Sequence, residues 1–189
     1  NIFDLINRNL SKRNKYNHLL RVALNKETIS VSLRKRPNPK LDFDLKLVNL
    51  KREKPQFKNL KYKKILSYLS NMDNSKSDIG LVSKKKILET GTSNLFFIKD
   101  KKIFTPKNYA YEGITYKFFK GKIKRIIKAD ILVKEIKKFD EIILIGSGKG
   151  VTSVRTIKQI GWERKNLHCY KMLSKYYRSA INNCNLYKF

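Results

Sequence analysis

The sequence predicts a mixed α and β fold of the α+β kind, and three observations carry that reading. Four short apolar runs between Ile79 and Pro106, "IGLVS", "KILET", "NLFFIK" and "KKIFTP", are separated by short polar turns, as in an antiparallel meander. Segments with apolar residues at helical spacing lie on both sides of that meander. Strands and helices do not alternate in repeated βαβ units, which argues against a doubly wound parallel sheet.

In chain order, Ile2–Leu10 reads as a short amphipathic helix. "HLLRVAL" and "TISVSLRKR" are β-like, and "NKE" between them predicts a hairpin. "RPNPK", residues 36–40, is a breaker, and Leu45–Leu50 forms a further strand. From Phe57 the pattern turns helical, with Leu60, Ile65, Leu66 and Leu69 on the apolar side, until "NMDNSKSD" ends it. After the meander, a helix starts at Gly113-Ile114-Thr115 and runs to about Gly121. "RIIKADI" is a short strand, "VKEIKKF" a short helix, and Glu141–Ile145 a strand. The β-branched run Val151–Ile157 is another strand, and residues 166–183 are helical, with Cys169 and Cys184 assigned to that run.

A chain of 189 residues can bury one good core, or one domain with part of a second. Its apolar runs are strand-sized, so no transmembrane helix is expected. In the opening "NIFDLINRNLSKRNK" the charges follow and interrupt the apolar residues, unlike a signal peptide. The first residue is Asn1 rather than Met, so the sequence is expected to begin inside a longer protein. Two cysteines are too few for a disulfide framework and suit a reducing cytoplasm. Two histidines without a Cys/His cluster argue against a zinc site, and both read as solvated surface residues rather than members of a Ser-His-Asp triad.

A net charge of +29 raises a polyanion partner as a first thought. The lysines, however, are spread from end to end among abundant Asn and Ile, without an RNP-like motif or a repeat. Lys, Asn and Ile share A/T-rich codons, so base-composition drift is the preferred account of the charge, and a basic, non-catalytic nucleic-acid-binding protein is the less favoured alternative. The positive field would still gather anionic substrates.

"EIILIGSGKGVTSV", residues 141–154, runs from an apolar strand into a glycine-rich loop, the usual form of a phosphate site. It is not a P-loop, because Gly150 follows Lys149 where a hydroxyl belongs. It is not a dinucleotide fingerprint either, since Val151 stands at the third glycine and a strand follows. On this segment alone a plain turn between two strands, with nothing bound, is the better reading.

Its partners lie upstream. "FKNLKYKKIL" (57–66), "ILETGTSNLFFIKDKKIFTP" (87–106) and "YEGITYKFF" (111–119), in that order before "DEIILIGSGKGVTSV", resemble the fold-type IV, or class IV, pyridoxal-phosphate enzymes. That family contains branched-chain and D-amino-acid aminotransferases and aminodeoxychorismate lyase. The resemblance covers about residues 20–182 and is strongest from Glu89 to Val154. It implies a partial small α/β domain over residues 1–54, followed by a larger β-rich, cofactor-binding domain over 55–189. It also implies pyridoxal 5'-phosphate as cofactor, a small-molecule amino substrate, a homodimer and no membrane.

Carried over residue by residue, the resemblance makes Lys58 the catalytic lysine, which holds the cofactor covalently and moves the proton at the substrate's α-carbon. Glu89 matches the carboxylate that pairs with the pyridine nitrogen and keeps it protonated. Ile114 and Thr115 match backbone donors at a helix N-terminus, and Ser147 and Gly148 the opposite half of the phosphate cradle. Thr92 and Ser93 match small hydroxyl residues that line the pocket. Tyr62 either reaches the cofactor's phenolic oxygen or packs in the core. Asn94 reads as a turn-stabilising side chain, and Lys61, Lys63 and Lys149 as surface charges.

Several positions depart from the family pattern. Tyr116 stands where many members have arginine, Ser153 where many have proline, and Tyr111 where an aliphatic residue commonly packs under the ring. Relatives begin well before Asn1 and carry an upstream phosphate-binding arginine. His18-x-x-Arg21 imitates that motif but lies too close to Lys58 and in a strand-like run, so that arginine is expected to be missing from this chain. Within the family, "LLRVALNKETISVSLRKRPNP" (19–39) leans the reading toward aminodeoxychorismate lyase, with a branched-chain or D-amino-acid aminotransferase as the alternative.

Overall fold

The structure, a computed structural model, describes residues 2–10, 18–35 and 38–184. Two compact units emerge, Asn1–Pro37 with Asn183–Phe189, and Asn38–Asn182.

The first unit contains α1 (Ile2–Asn9) and an antiparallel hairpin of β1 (His18–Leu24) and β2 (Ile29–Lys35). The expected "NKE" turn closes it. Asn25 Oδ1 accepts hydrogen bonds from the backbone N–H of Glu27 and Thr28, while Asn25 N donates to Thr28 O. A side chain that mimics a backbone acceptor favours a tight reversal at that residue. Arg36 and Pro37, the start of the expected breaker, lie outside the described residues.

The second unit is built on one large sheet. Its strands are β3 (Asp42–Asn49), β4 (Ser77–Ser83), β5 (Lys86–Thr90), β6 (Asn94–Lys99) and β7 (Lys102–Pro106). The chain continues through β8 (Ile126–Ala129), β9 (Ile131–Leu132), β10 (Glu141–Gly146), β11 (Gly150–Ile157) and β12 (Trp162–Glu163). The spatial order is β8-β7-β6-β10-β11-β3-β4-β5-β9, with β12 beside β11. β3 falls in the sequence within residues 1–54, yet it is hydrogen-bonded in parallel between β11 and β4, inside the large sheet.

The sheet must curl. β5 and β6 are five places apart along the hydrogen-bonded path, about 24 Å in a flat sheet. Thr90 ends one and Asn94 begins the other, and that stretch of chain spans at most about 14 Å. Curling brings alternate residues of distant strands into one inner cluster: Phe43 and Leu45, Ile87, Leu95 and Phe97, Ile142 and Leu144, and Val154. The intervening residues Phe96, Ile98, Ile143 and Ile145 face outward and are covered by Tyr116 and Phe119 of α3 (Ile114–Lys122) and by Cys169 and Leu173 of α4 (His168–Asn182). Burial on both faces explains why "NLFFI" and "EIILI" read as unbroken apolar runs instead of alternating ones.

The expected helix from Phe57 starts later, as α2 (Lys63–Leu69). Asn59 delays it: its Nδ2 donates to Glu53 O, and its Oδ1 accepts from Lys61 N at 2.8 Å. Such local side-chain bonds compete with the helical ladder. Of the expected apolar face, Ile65 and Leu69 are buried against Val48, Ile79 and Leu81, whereas Leu60 and Leu66 are exposed. "VKEIKKF" is a 3-10 helix, Val133–Lys138, and Cys184 lies beyond the end of α4. Among the described residues no helix is long and apolar enough to cross a membrane.

Buried Glu141 fixes α4 to the sheet. Its two carboxylate oxygens accept the N–H groups of Cys169 at 2.8 Å and Tyr170 at 2.9 Å, where the helix dipole favours negative charge. Burial, then this carboxylate, pushes the Cys169 thiol pKa up. Glu141→Gln keeps the shape but removes the charge and one acceptor. It should lower the unfolding free energy by about 1–3 kcal/mol in urea titrations.

Candidate active site

The short connection from β5 to β6 assembles the site. Glu89 sits near the end of β5 with 3% of its surface exposed. Its Oε1 accepts from Arg52 Nε at 2.8 Å, and its Oε2 from Tyr111 N at 3.2 Å. Arg52 also donates to Gly91 O, tying itself to the turn after Glu89. Burial raises the Glu89 pKa, and the Arg52 guanidinium and the Tyr111 N–H act against that rise.

Asn94 opens β6 and joins two further parts. Its Oδ1 accepts from Gly113 N, and its Nδ2 donates to Tyr111 O. The expected turn-stabilising role is therefore corrected: Asn94 organises the 111–113 segment that precedes α3. Across the sheet Asn94 pairs with Ile145, one residue before Gly146. The N-terminus of α3 and the β10–β11 turn are thus both referred to one residue. Gly146 lies so close to the other turn that a Cβ there would come within 3.2 Å of Ser93 Oγ.

The expected residues are distributed as follows. Gly113 begins α3 without a side-chain cap, so the N–H groups of Ile114 and Thr115 have no intrahelical partner. Ile114 is exposed and Thr115 buried. Ser147 is exposed, and Gly148 is half-buried. Buried Ser93 donates its N–H to Thr90 Oγ1, and the Thr92 hydroxyl donates to Asp78 Oδ2 at 2.6 Å. Lys58 is exposed in the loop before α2, with its Nζ 6.0 Å from the centre of the Tyr111 ring. Tyr62 is half-buried and packs against the Val48, Ile65 and Ile79 cluster.

A second expectation at the site is overturned. Lys149 is not a surface charge but is buried, and its Nζ forms an ion pair with Asp78 Oδ2 at 2.8 Å. Asp78 and Arg52 were not expected from the sequence. A lone aspartate in the apolar run "SDIGLVS" was the available signal for the first. Nothing set Arg52 apart among the 44 lysines and arginines.

A family description, amino-transferase class IV, matches residues 1–157. The chain belongs to the class IV aminotransferase family. No curated protein matches it by sequence. Among solved structures, it resembles a protein assigned as a 4-amino-4-deoxychorismate lyase from Legionella pneumophila, at 19% identity and TM-score 0.66 over 80% of this chain and 60% of that one. The branched-chain aminotransferase of Thermoproteus uzoniensis, solved with norvaline, matches at 14% identity and TM-score 0.68, over 85% and 60%. That of Thermobaculum terrenum, in its pyridoxal-phosphate form, matches at 16% and 0.62, over 85% and 61%. This chain therefore spans about 60% of the length of these relatives. The structures compared include both a protein assigned as a lyase and branched-chain aminotransferases, so the shared fold does not by itself carry the lyase specificity that residues 19–39 suggested.

The class IV residues present fit the family's cofactor. Glu89 has received two donors of the roughly four a carboxylate can accept, which leaves capacity for a protonated ring nitrogen. The uncapped start of α3 and the exposed Ser147 hydroxyl are donors suited to a phosphate. Among the described residues no His, Cys, Asp and Glu cluster suits a metal ion.

Because the folded-state pKa of Glu89 lies above its ordinary value, this group's contribution to stability is present at low pH and lost as pH rises through the folded pKa. Arg52→Met removes the opposing charge, so the pKa should climb further and the loss should shift to higher pH. A carboxyl-carbon NMR titration of Glu89, with urea unfolding across pH, measures both. An unmoved titration in the variant would contradict the electrostatic role given to Arg52.

Proposed function

We propose that this protein is a pyridoxal 5'-phosphate-dependent enzyme acting on a small amino acid, with transamination of the branched-chain type as its reaction. The observation that carries the reading is Glu89: a buried carboxylate with spare acceptor capacity, beside a turn that faces an uncapped helix N-terminus. When bound, pyridoxal phosphate supplies an electron-withdrawing ring that disperses the charge left at the α-carbon as its proton departs.

In this reading each residue has one task. Lys58, on its exposed loop, holds the cofactor through its amine and then takes and returns the α-proton. Glu89 keeps the ring nitrogen protonated. The Ile114 and Thr115 N–H groups receive the phosphate from one side, and the Ser147 hydroxyl and Gly148 N–H from the other. Thr92 and Ser93 line the pocket between the two halves, and Tyr62 braces the Lys58 loop from the core. The apolar surface of Phe57, Leu60 and Ile114, exposed at 60%, 55% and 73%, is covered in a homodimer.

The branched-chain aminotransferases among the matched structures support transamination. Elimination of 4-aminobenzoate and pyruvate from aminodeoxychorismate is the second reading, supported by the paired strands β1 and β2 formed by the stretch that resembles the lyase branch. With leucine, isoleucine or valine and 2-oxoglutarate, the protein should form the matching branched-chain 2-oxo acid. Release of 4-aminobenzoate without consumption of a 2-oxo acid would establish the lyase instead.

Two variants test the residue roles. Lys58→Ala should abolish turnover and borohydride-fixed attachment of the cofactor, while Lys61→Ala leaves both intact; label recovered at another lysine would exclude Lys58. Glu89→Gln should retain the cofactor but slow α-proton removal by roughly a hundredfold, as a pKa change of two units at the ring nitrogen predicts. Near wild-type turnover in Glu89→Gln would reduce Glu89 to a structural carboxylate.

A further inference from the structure

Lys149 is the one residue of the β10–β11 turn whose charged group is driven inward. Its side chain is 5% exposed and that of Asp78 is 0% exposed. Beyond the ion pair, Lys149 Nζ lies 3.5 Å from Ser77 O and 4.6 Å from the centre of the Phe43 ring. Asp78 gathers the opposite turn as well: Oδ2 accepts from Thr90 Oγ1 at 2.9 Å and Thr92 Oγ1 at 2.6 Å, and Oδ1 from Ile79 N at 2.8 Å. One carboxylate therefore ties the Thr90–Ser93 turn to the residue immediately after Gly148.

A buried ion pair is a poor way to gain stability, because removing both charges from water offsets most of their attraction. What it does supply is a fixed distance between two loops. The turn it fixes is closed by the β10–β11 ladder, which pairs Gly146 with Gly150, but Ser147 is exposed and the two flanking glycines offer no side chains to hold it against the rest of the sheet. Gly150 takes φ +70°, and a Cβ there would meet the Tyr177 ring at 2.9 Å, so the exit of the turn is set by a glycine. Among the described residues of the turn, Lys149 reaches across with its side chain, to Ser77 and Asp78 of β4. The Thr92 hydroxyl, spending its proton on Asp78, is left as an acceptor, which leaves the Ser147 hydroxyl and the Gly148 N–H as the anion donors on this side.

We propose that the Lys149–Asp78 ion pair is the positioning device of the phosphate side of the site, holding Ser147 and Gly148 at the distance from the Thr92–Ser93 turn at which they bind a phosphate. The inference rests on the cofactor reading above. Lys149 touches neither cofactor nor substrate in it; the lysine acts through the turn it anchors.

The test compares binding of pyridoxal 5'-phosphate with that of pyridoxal, which lacks the phosphate, by fluorescence titration. Lys149→Met should weaken pyridoxal phosphate by about tenfold and leave pyridoxal nearly unchanged. Asp78→Asn/Lys149→Met, which leaves no uncompensated buried charge, should show the same loss of preference, and thermal melts report whether each variant is folded. A double variant that keeps the wild-type preference overturns the positioning role. So does a pair whose removal unfolds both variants, since that marks it as purely structural. If the wild-type protein prefers neither ligand, the cofactor reading fails and the inference falls with it. A wild-type preference that survives in the variants defeats this inference alone.

Discussion

The turn between Thr90 and Asn94 is the constraint on which the second unit depends. It joins two strands that lie far apart along the sheet, so the sheet has to roll up, and rolling it up makes the core. The turn is held by its own hydroxyls. Thr90 Oγ1 accepts from Thr92 N and Ser93 N and lies within hydrogen-bonding distance of both Asp78 Oδ2 and Ser93 O. Closing the sheet here also places Glu89 on one side of the turn and Asn94 on the other, so one connection builds both the core and the site.

Around that turn the polar groups form two hydrogen-bonded sets. Arg52 and Tyr111 meet at Glu89, Tyr111 and Gly113 meet at Asn94, and Thr90, Thr92 and Lys149 meet at Asp78. Buried acceptors in a low-dielectric interior need such partners, and each pairing fixes a backbone segment as well as a charge. The same bonds that satisfy the buried carboxylates therefore also hold these backbone segments in place.

The positive charge is a background to this arrangement rather than part of it. Of the many lysines, Lys149 is directed into a buried ion pair and Lys58 into the neighbourhood of Tyr111. Others form exposed pairs such as Lys86 with Asp130 and Lys128 with Glu112. Exposed pairs of this kind contribute little to stability. The last of them lowers the Glu112 pKa and raises that of Lys128, in each case chiefly through their mutual hydrogen bond.

The sequence by itself located most of the strands, the hairpin and the helix starting at Gly113, because these follow from local periodicity and turn chemistry. It read "RIIKADI" as one strand, where β8 and β9 lie at opposite edges of the sheet, and it missed β12. The ordered motifs at Lys58, Glu89, Gly113 and Ser147 also marked the segments that make up the candidate site. Tertiary structure decided what periodicity cannot encode. β3 joined the large sheet because Phe43 and Leu45 fit its inner cluster. The second helix began late because Asn59 bonded to its own loop. Lys149 went inward because a single buried aspartate, 71 residues away in sequence, lay across from it. In a chain where lysine is everywhere, the role of any one lysine is set by the acid it meets, and only the folded sheet brings that acid near.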